Sequence, residues 1–186
     1  MTTTQEGRAQ RGLAPTGSDR WRDAMTLYDS LRLRQAFGCF PTGVTAVCAM
    51  ANGVPVGLAA NSFASVSLEP ALVSVCMARA STTWPVLREL PSVGISVLAE
   101  VHAPICRLLA AKGVDRFAQV SWEASDTGAV FIHGAALWLD CQLEKEFPAG
   151  DHDIALLRID TMRSFPEIAP LIFHRSTFHR LADRVE

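Results

Sequence analysis

Between Ala135 and Phe147 the chain alternates side-chain character for the length of a long strand. Ala135, Leu137, Leu139, Cys141 and Leu143 share one face of an extended backbone; Asp140, Gln142, Glu144 and Glu146 share the other, where Trp138 is the apolar exception. Pro148-Ala149-Gly150-Asp151 then reads as a turn, and Ile154 to Ile159 runs back as a second strand. A strand that returns through so short a turn pairs antiparallel with its predecessor. The same architecture is written between Val44 and Ala60. Val44–Met50 and Val54–Ala60 are strand-like runs around Ala51-Asn52-Gly53, and Asn-Gly is the strongest short hairpin signal because both residues tolerate positive φ.

Further short strands are predicted at Leu72–Met77, Val93–Leu98 and Leu171–His174. Helices are predicted at Leu27–Phe37, ending at Gly38, at Trp84–Leu90, with Thr83 as N-cap and Pro85 in the first turn, and at Ala103–Lys112, ending before Gly113. Strands joined by hairpins with a few inserted helices predict a mostly β fold, an antiparallel barrel or barrel-like sheet with Greek-key-like connections, over a doubly wound one. Neither GxGxxG nor GxxxxGK[ST] occurs, so a Rossmann or P-loop nucleotide site is unsupported.

A chain of 186 residues is expected to form one domain. The polar stretch from Met1 to Asp23 lacks the apolar segment of a secretory signal and reads as a flexible tail over residues 1–24, which leaves 25–186 as the folded domain. No apolar run approaches the roughly 20 residues of a membrane span. The net charge of −2, with scattered Lys and Arg, argues against a nucleic-acid partner. Five cysteines (Cys39, Cys48, Cys76, Cys106 and Cys141) form no CxxC pair; with no export signal they are expected to be thiols in a reducing, cytoplasmic compartment. Cys76 and Cys141 fall in strand-like runs and read as small buried residues. The pairs His102/Cys106 and His174/His179 bring no third ligand, so no metal site is expected.

Chemistry concentrates in three polar-and-small segments between these strands. They are Pro41-Thr42-Gly43-Val44, Ala60-Asn61-Ser62 continuing through Ser65-Val66-Ser67, and Arg79-Ala80-Ser81-Thr82-Thr83. Small hydroxyl residues at strand ends leave room for a flat ligand and offer it hydrogen bonds, and the third segment leads into a helix start, where a phosphate is favoured. Together they read as the lining of a pocket for a phosphorylated planar cofactor. Asn61 and Ser62 suit a polar ring edge, or are simply a strand-end turn. The hydroxyls of Ser65 and Ser67 are expected on one face. Ser81, Thr82 and Thr83 suit a phosphate and also plain helix capping. Arg79 or Arg116 would add charge; Arg116-Phe117 reads equally as a surface ion pair beside a core aromatic. His152, between Asp151 and Asp153 at the end of a turn, is the candidate for aligning a reacting group or moving a proton. No GxSxG elbow supports a hydrolase.

Phe37-Gly38-Cys39-Phe40-Pro41-Thr42-Gly43-Val44-Thr45-Ala46-Val47 resembles the opening motif of the short-chain flavin reductases, the reductase components of two-component monooxygenases. The resemblance continues in order through Gly57, Ala60-Asn61-Ser62-Phe63, Ser65 to Pro70, Ser81-Thr82-Thr83, Asp115-Arg116-Phe117, Gly150-Asp151-His152 and Pro170 to Arg175. It implies an FMN-binding split β-barrel, a homodimer, and reduction of FMN or FAD by NADH or NADPH for a transient flavin-dependent monooxygenase partner. It implies flavin contacts from Pro41, Thr42, Gly43, Val44, Ala60, Asn61, Ser62, Ser65, Val66, Ser67, Arg79, Ala80, Ser81, Thr82, Thr83, Arg116 and Phe117, and a role beside the nicotinamide for His152. Two departures stand out: Ala155-Leu156-Leu157-Arg158 fills a stretch where the family often has a glycine, and Phe173 stands where tyrosine is common. Two other functions fit the residues: a flavin-binding electron carrier with little NAD(P)H activity of its own, and a split-barrel module that binds some other ligand or partner without redox chemistry.

Overall fold

The Asn52-Gly53 hairpin forms as its sequence dictates. In the computed structural model, which describes residues 30–182, β2 (Thr45–Ala51) and β3 (Val54–Ala60) pair along their whole length. Asn52 (φ 52°) and Gly53 (φ 80°) both adopt the left-handed conformation that a tight two-residue hairpin needs. The expected tail and the first expected helical residues, 27–29, lie outside the described residues. Helix α1 (Ser30–Phe37) contains no buried side chain and belongs to a different unit from the chain that begins at Gly38.

Within the second unit the remaining strands are β1 (Thr42–Gly43), β4 (Ala64–Leu68), β5 (Ala71–Ala78), β6 (Val93–Val97), β7 (Trp122–Ala124), β8 (Val130–Ile132), β9 (Leu137–Ala149), β10 (His152–Ser164), β11 (Ile172–His174) and β12 (Thr177–His179). Seven of the strands form one sheet in the order β3-β2-β6-β9-β10-β5-β4; β1-β11-β12 and β7-β8 form two small sheets, and every strand pairing is antiparallel. This is an open, split barrel. Helices α2 (Trp84–Leu87) and α3 (Ala103–Ala110) are inserted between strands.

β2 shows why the barrel's core strands carry no polar alternation. Val47 and Ala49 face the interior with Val75 and Met77 of β5, Ile95 of β6, Leu139 of β9 and Leu157 of β10. Ala46 and Cys48 face the opposite way, into a second cluster with Leu98, Cys106 and Leu109 from the α3 region. A strand covered on both faces must be apolar on both. Each large aliphatic side chain buried in these clusters contributes roughly 1.5–3 kcal/mol. Burial also pushes the Cys48 and Cys141 thiols up to about 12, so both stay protonated and serve as packing. Cys76, expected among the buried residues, is only half-buried.

The alternation of β9 has a different outcome from the one its sequence suggests. Trp138 is buried, with 8% of its surface exposed; it stacks on Phe131 at 5.3 Å, meets Phe165 edge-on at 5.2 Å, and its Nε1 donates to the Ile132 carbonyl at 2.8 Å. It is therefore not apolar surface awaiting a partner. Asp140, on the same face, is 5% exposed and accepts hydrogen bonds from the hydroxyls of Ser92, Ser125 (3.1 Å) and Thr127 (2.7 Å). The β7-β8 ribbon and its connecting loop cover this face, and the polar residue survives there because three hydroxyls satisfy it.

The same ribbon fixes a glycine. β8 crosses so near β6 that a Cβ on Gly94 would overlap the backbone of Val130. Gly94→Ala must push the ribbon outward, and a destabilisation of about 1–3 kcal/mol is expected, read as a lower urea midpoint with an unchanged m-value. A wild-type midpoint would show that the ribbon is not held against β6.

Candidate active site

At the end of β3 the chain is pinned from both sides. Thr45 Oγ1 donates to the Ala60 carbonyl at 3.0 Å. Ser62 Oγ donates to the Cys76 carbonyl at 3.2 Å and accepts from the Cys76 N–H at 2.9 Å. These bonds tie the loop after β3 to β5, four strands away from β2 in the sheet order, and so bring Ala60-Asn61-Ser62 beside the segment that follows β5.

That segment is shaped by Ser81. Its N–H donates to the Ala78 carbonyl (2.9 Å), and its Oγ accepts from the N–H groups of Thr83 (3.2 Å) and Trp84 (3.1 Å). The cap of α2 is therefore supplied by Ser81; Thr83, the expected N-cap, makes no side-chain capping bond, and the helix stops at Leu87 short of the expected Leu90. With both lone pairs of Ser81 Oγ engaged, its O–H remains to donate elsewhere.

Arg116 reaches the same place from the loop after α3. Its Nε donates to the Ala111 carbonyl (2.8 Å), and its Nη1 donates to the Gly57 carbonyl (2.8 Å) and to Thr83 Oγ1 (2.9 Å). Three bonds to uncharged acceptors fix the guanidinium without neutralising it. Lys112 stands nearby, and neither cation is within ion-pairing distance of a carboxylate among the described residues.

These elements enclose a cleft of about 360 Å³. Leu58, Ala59, Ala60, Met77, Leu109 and Ala110 give it apolar walls; Asn61, Ser62, Ser81, Thr82, Thr83, Lys112, Arg116 and His152 give it polar groups. A slot with small apolar walls, hydroxyl donors and two unneutralised cations fits a flat ligand carrying a phosphate. His152 opens β10, where it pairs with Ala78 of β5 and Ala149 of β9. Its Nδ1 lies 2.7 Å from Asp151 Oδ1. With the carboxylate accepting, the neutral ring carries its proton on Nδ1 and presents Nε2 as an acceptor.

Of the expected site residues, Ala60, Asn61, Ser62, Ala80, Ser81, Thr82, Thr83, Arg116 and His152 line this cleft. The two arginines part: Arg79 bonds Asp153 through Nε and Nη2, each at 2.9 Å, and does not line the cleft. Val44 lines an adjoining hollow with Ala60, Asn61, Phe173 and Phe178. Pro41, Thr42 and Gly43 lie at or beside β1, away from the cleft lining, and Thr42 Oγ1 is buried without a hydrogen-bond partner. Ser65, Val66 and Ser67 are on β4 and also do not line the cleft; an irregularity in the pairing between Ser65 and Ser67 breaks the alternation expected there. Phe117 is the core aromatic of the two readings, 8% exposed and edge-on to Trp122 at 6.5 Å. Lys112, Cys76, Met77 and Leu109 join the cleft without any signal in the sequence. There they read as a helix-end cation and ordinary core; the packing of α3 on β3 brings Leu109 and Lys112 to the site, and the Ser62 bonds to β5 bring Cys76 and Met77.

Comparison with known proteins agrees with this geometry. The family model described as the flavin reductase like domain matches residues 37–182. The reductase subunit of a flavin-dependent monooxygenase from Rhodococcus jostii (strain RHA1) is 35% identical over 150 residues, covering 81% of this chain and 77% of that protein. The structure of a Streptomyces globisporus NADH:FAD oxidoreductase in complex with NAD and FAD fragments is 36% identical, with a TM-score of 0.81 over 85% of this chain and 96% of that one. The flavin reductase component of a bacterial two-component tryptophan halogenase is 34% identical, with a TM-score of 0.77 over 84% of this chain and 100% of that one. Matched in sequence and in fold over most of its length, the chain belongs to the flavin reductase like domain family.

Proposed function

We propose that this protein is an NAD(P)H:flavin oxidoreductase that supplies reduced flavin to a separate monooxygenase. The observation that carries the reading is the cleft itself: apolar walls for a flat ring system, leading to hydroxyls and two unneutralised cations. Met77, Leu58, Ala59 and Ala60 would bound the ring system and keep water from it. Asn61 offers a side-chain amide to a polar ring edge. The free O–H groups of Ser81 and Thr83, with Thr82, Lys112 and Arg116, would hold the phosphate. When bound, the flavin supplies a two-electron acceptor for the nicotinamide hydride. His152, with Nδ1 toward Asp151, would accept a hydrogen bond at Nε2 and so orient the nicotinamide carboxamide.

The working form is proposed to be a homodimer in the cytoplasm. Val66 and Leu68, on the edge strand β4, are 53% and 95% exposed, and an uncovered apolar edge strand favours association. Among the described residues no helix is long and apolar enough to cross a membrane. Light scattering at micromolar concentration is expected to give twice the 20.2 kDa of one chain; a monomer mass overturns the dimer.

The test of function is NADH or NADPH oxidation by the purified protein with and without added flavin. Oxidation that depends on flavin is expected. Flavin uptake without such oxidation would make the protein an electron carrier, and no uptake would make it a non-redox module. Replacing Ser81 and Thr82 together by Ala is expected to weaken flavin binding about tenfold or more in a fluorescence titration, because hydrogen bonds to a charged group contribute roughly 1.5–3 kcal/mol each. Unchanged affinity would remove these hydroxyls from the phosphate site.

His152→Ala separates orientation from binding. Flavin affinity is expected to stay within about twofold. The kcat/KM for the nicotinamide and the single-turnover reduction rate should fall by roughly tenfold to a thousandfold. Wild-type rates would make His152 a turn residue, and lost flavin affinity would move it to the cofactor's own contacts.

A further inference from the structure

Where β9 pairs with β10, β9 carries one residue too many. Leu143 lies opposite Leu157 and Lys145 opposite Leu156, so Glu144 between them has no counterpart. A bulge of this kind turns the rest of its strand over. Residues directly opposite each other on paired strands share a face. Leu143 before the bulge therefore faces the same way as the buried Leu157, and Glu146 beyond it the same way as the buried Ala155. Residue order alone puts Glu146 on the polar face with Gln142 and Glu144; the bulge puts it on the interior face. There its Oε1 accepts from the Trp84 indole Nε1 at 2.7 Å, and its Oε2 lies 3.5 Å from Arg88 Nη1. The Glu146 side chain is 24% exposed, and Trp84 is 3% exposed.

We propose that Glu146 is a positioning residue for the phosphate end of the flavin slot, acting through the Trp84 indole on the turn formed by Ser81, Thr82 and Thr83. The inference rests on the flavin reading above and deepens it. Trp84 joins that turn to the core. Its backbone N–H donates to Ser81 Oγ, and its ring packs with Leu87 among the buried side chains of β5, β6, β9 and β10. Helix α2, which Trp84 opens, has four residues, too few to hold a helical turn by its own hydrogen bonds. The place of the three hydroxyls along the cleft therefore depends on what fixes Trp84. The indole has a single N–H, and Glu146 takes it. A carboxylate on an interior face is costly unless it is hydrogen-bonded and paired. Glu146 is both, and its two partners are the first residue of α2 and its C-cap, Arg88, so it clamps the helix at both ends. Glu146 itself does not line the cleft, so it reaches a ligand only through these neighbours.

The full-length protein, freed of flavin, is titrated by fluorescence quenching with FMN and with riboflavin, which lacks only the phosphate. The wild type is expected to bind FMN at least about tenfold more tightly than riboflavin. Glu146→Ala should weaken FMN binding at least about fivefold and leave riboflavin within about twofold, because only the phosphate meets the displaced turn. Glu146→Gln keeps an oxygen for the indole and should return FMN affinity to within about twofold of wild type. Trp84→Phe keeps a ring in the core but removes the N–H. It should reproduce the loss seen with Glu146→Ala, and the double variant should lose no more than either alone. Where Glu146→Ala does not fold, Trp84→Phe carries the same comparison. Variants that weaken both flavins alike make Glu146 a general support of the fold and overturn the proposal. Tighter FMN binding by Glu146→Ala also overturns it, since the carboxylate would then act by repelling the phosphate. Failure of Gln to rescue assigns the effect to the Arg88 ion pair and overturns the route through the indole. Equal wild-type affinity for the two flavins overturns the placing of the phosphate, and the proposal with it. Binding of neither flavin overturns the flavin reading itself.

Discussion

The hydrogen bonds between Ser62 and Cys76 hold the site together. β4 pairs with β5 only as far as Ser74, so the upper part of β5 has an open edge with backbone groups that require partners. At Cys76 the Ser62 hydroxyl takes both the N–H and the carbonyl. One side chain thus replaces a missing strand pairing. The gap left where β4 stops becomes the mouth of the cleft, and the end of β3 is fixed across it. Loss of that hydroxyl would remove both partners from a half-buried strand edge and free the Asn61 loop.

The second dependency is on Arg116. A cation held only by carbonyls and a hydroxyl keeps its full charge for a ligand, whereas Arg79, bonded to Asp153, does not. The two arginines are equivalent as residues in a sequence. Their difference lies in which acceptors the fold brings to them. Ser81 shows the same logic in neutral form: accepting two N–H groups at the start of α2 both builds the turn and leaves its hydroxyl proton as a donor. Capping and ligand binding are one arrangement here rather than competing uses of the residue.

Much of the fold is legible in the order of the amino acids. Asn52-Gly53 specifies the first hairpin because the positive φ values it needs are a local property of two residues. The β9-β10 hairpin is legible from alternation and a turn. Residue type and order mark Ala60–Ser62, Ala80–Thr83, Arg116 and His152 as parts of a site, and these do come together at one cleft. Trp138 and Asp140 depart from their expected exposure because alternation reports only that two faces differ. It does not report that the β7-β8 ribbon covers the polar one. The irregular pairing of β4 at Val66, where regular alternation is expected, depends on a register that the sequence does not express.

By itself the sequence determined the strands, the hairpins, the family and the chemical inventory of the site, because these follow from local backbone preference and from motif order. Only the tertiary structure decided which arginine keeps its charge and that Lys112 and Met77 join the site. Each of those facts depends on distances between residues far apart in the chain. Arg116 is 33 positions from Thr83 and 59 from Gly57. No local preference encodes such a distance; it is set by how the sheet coils and where α3 packs upon it.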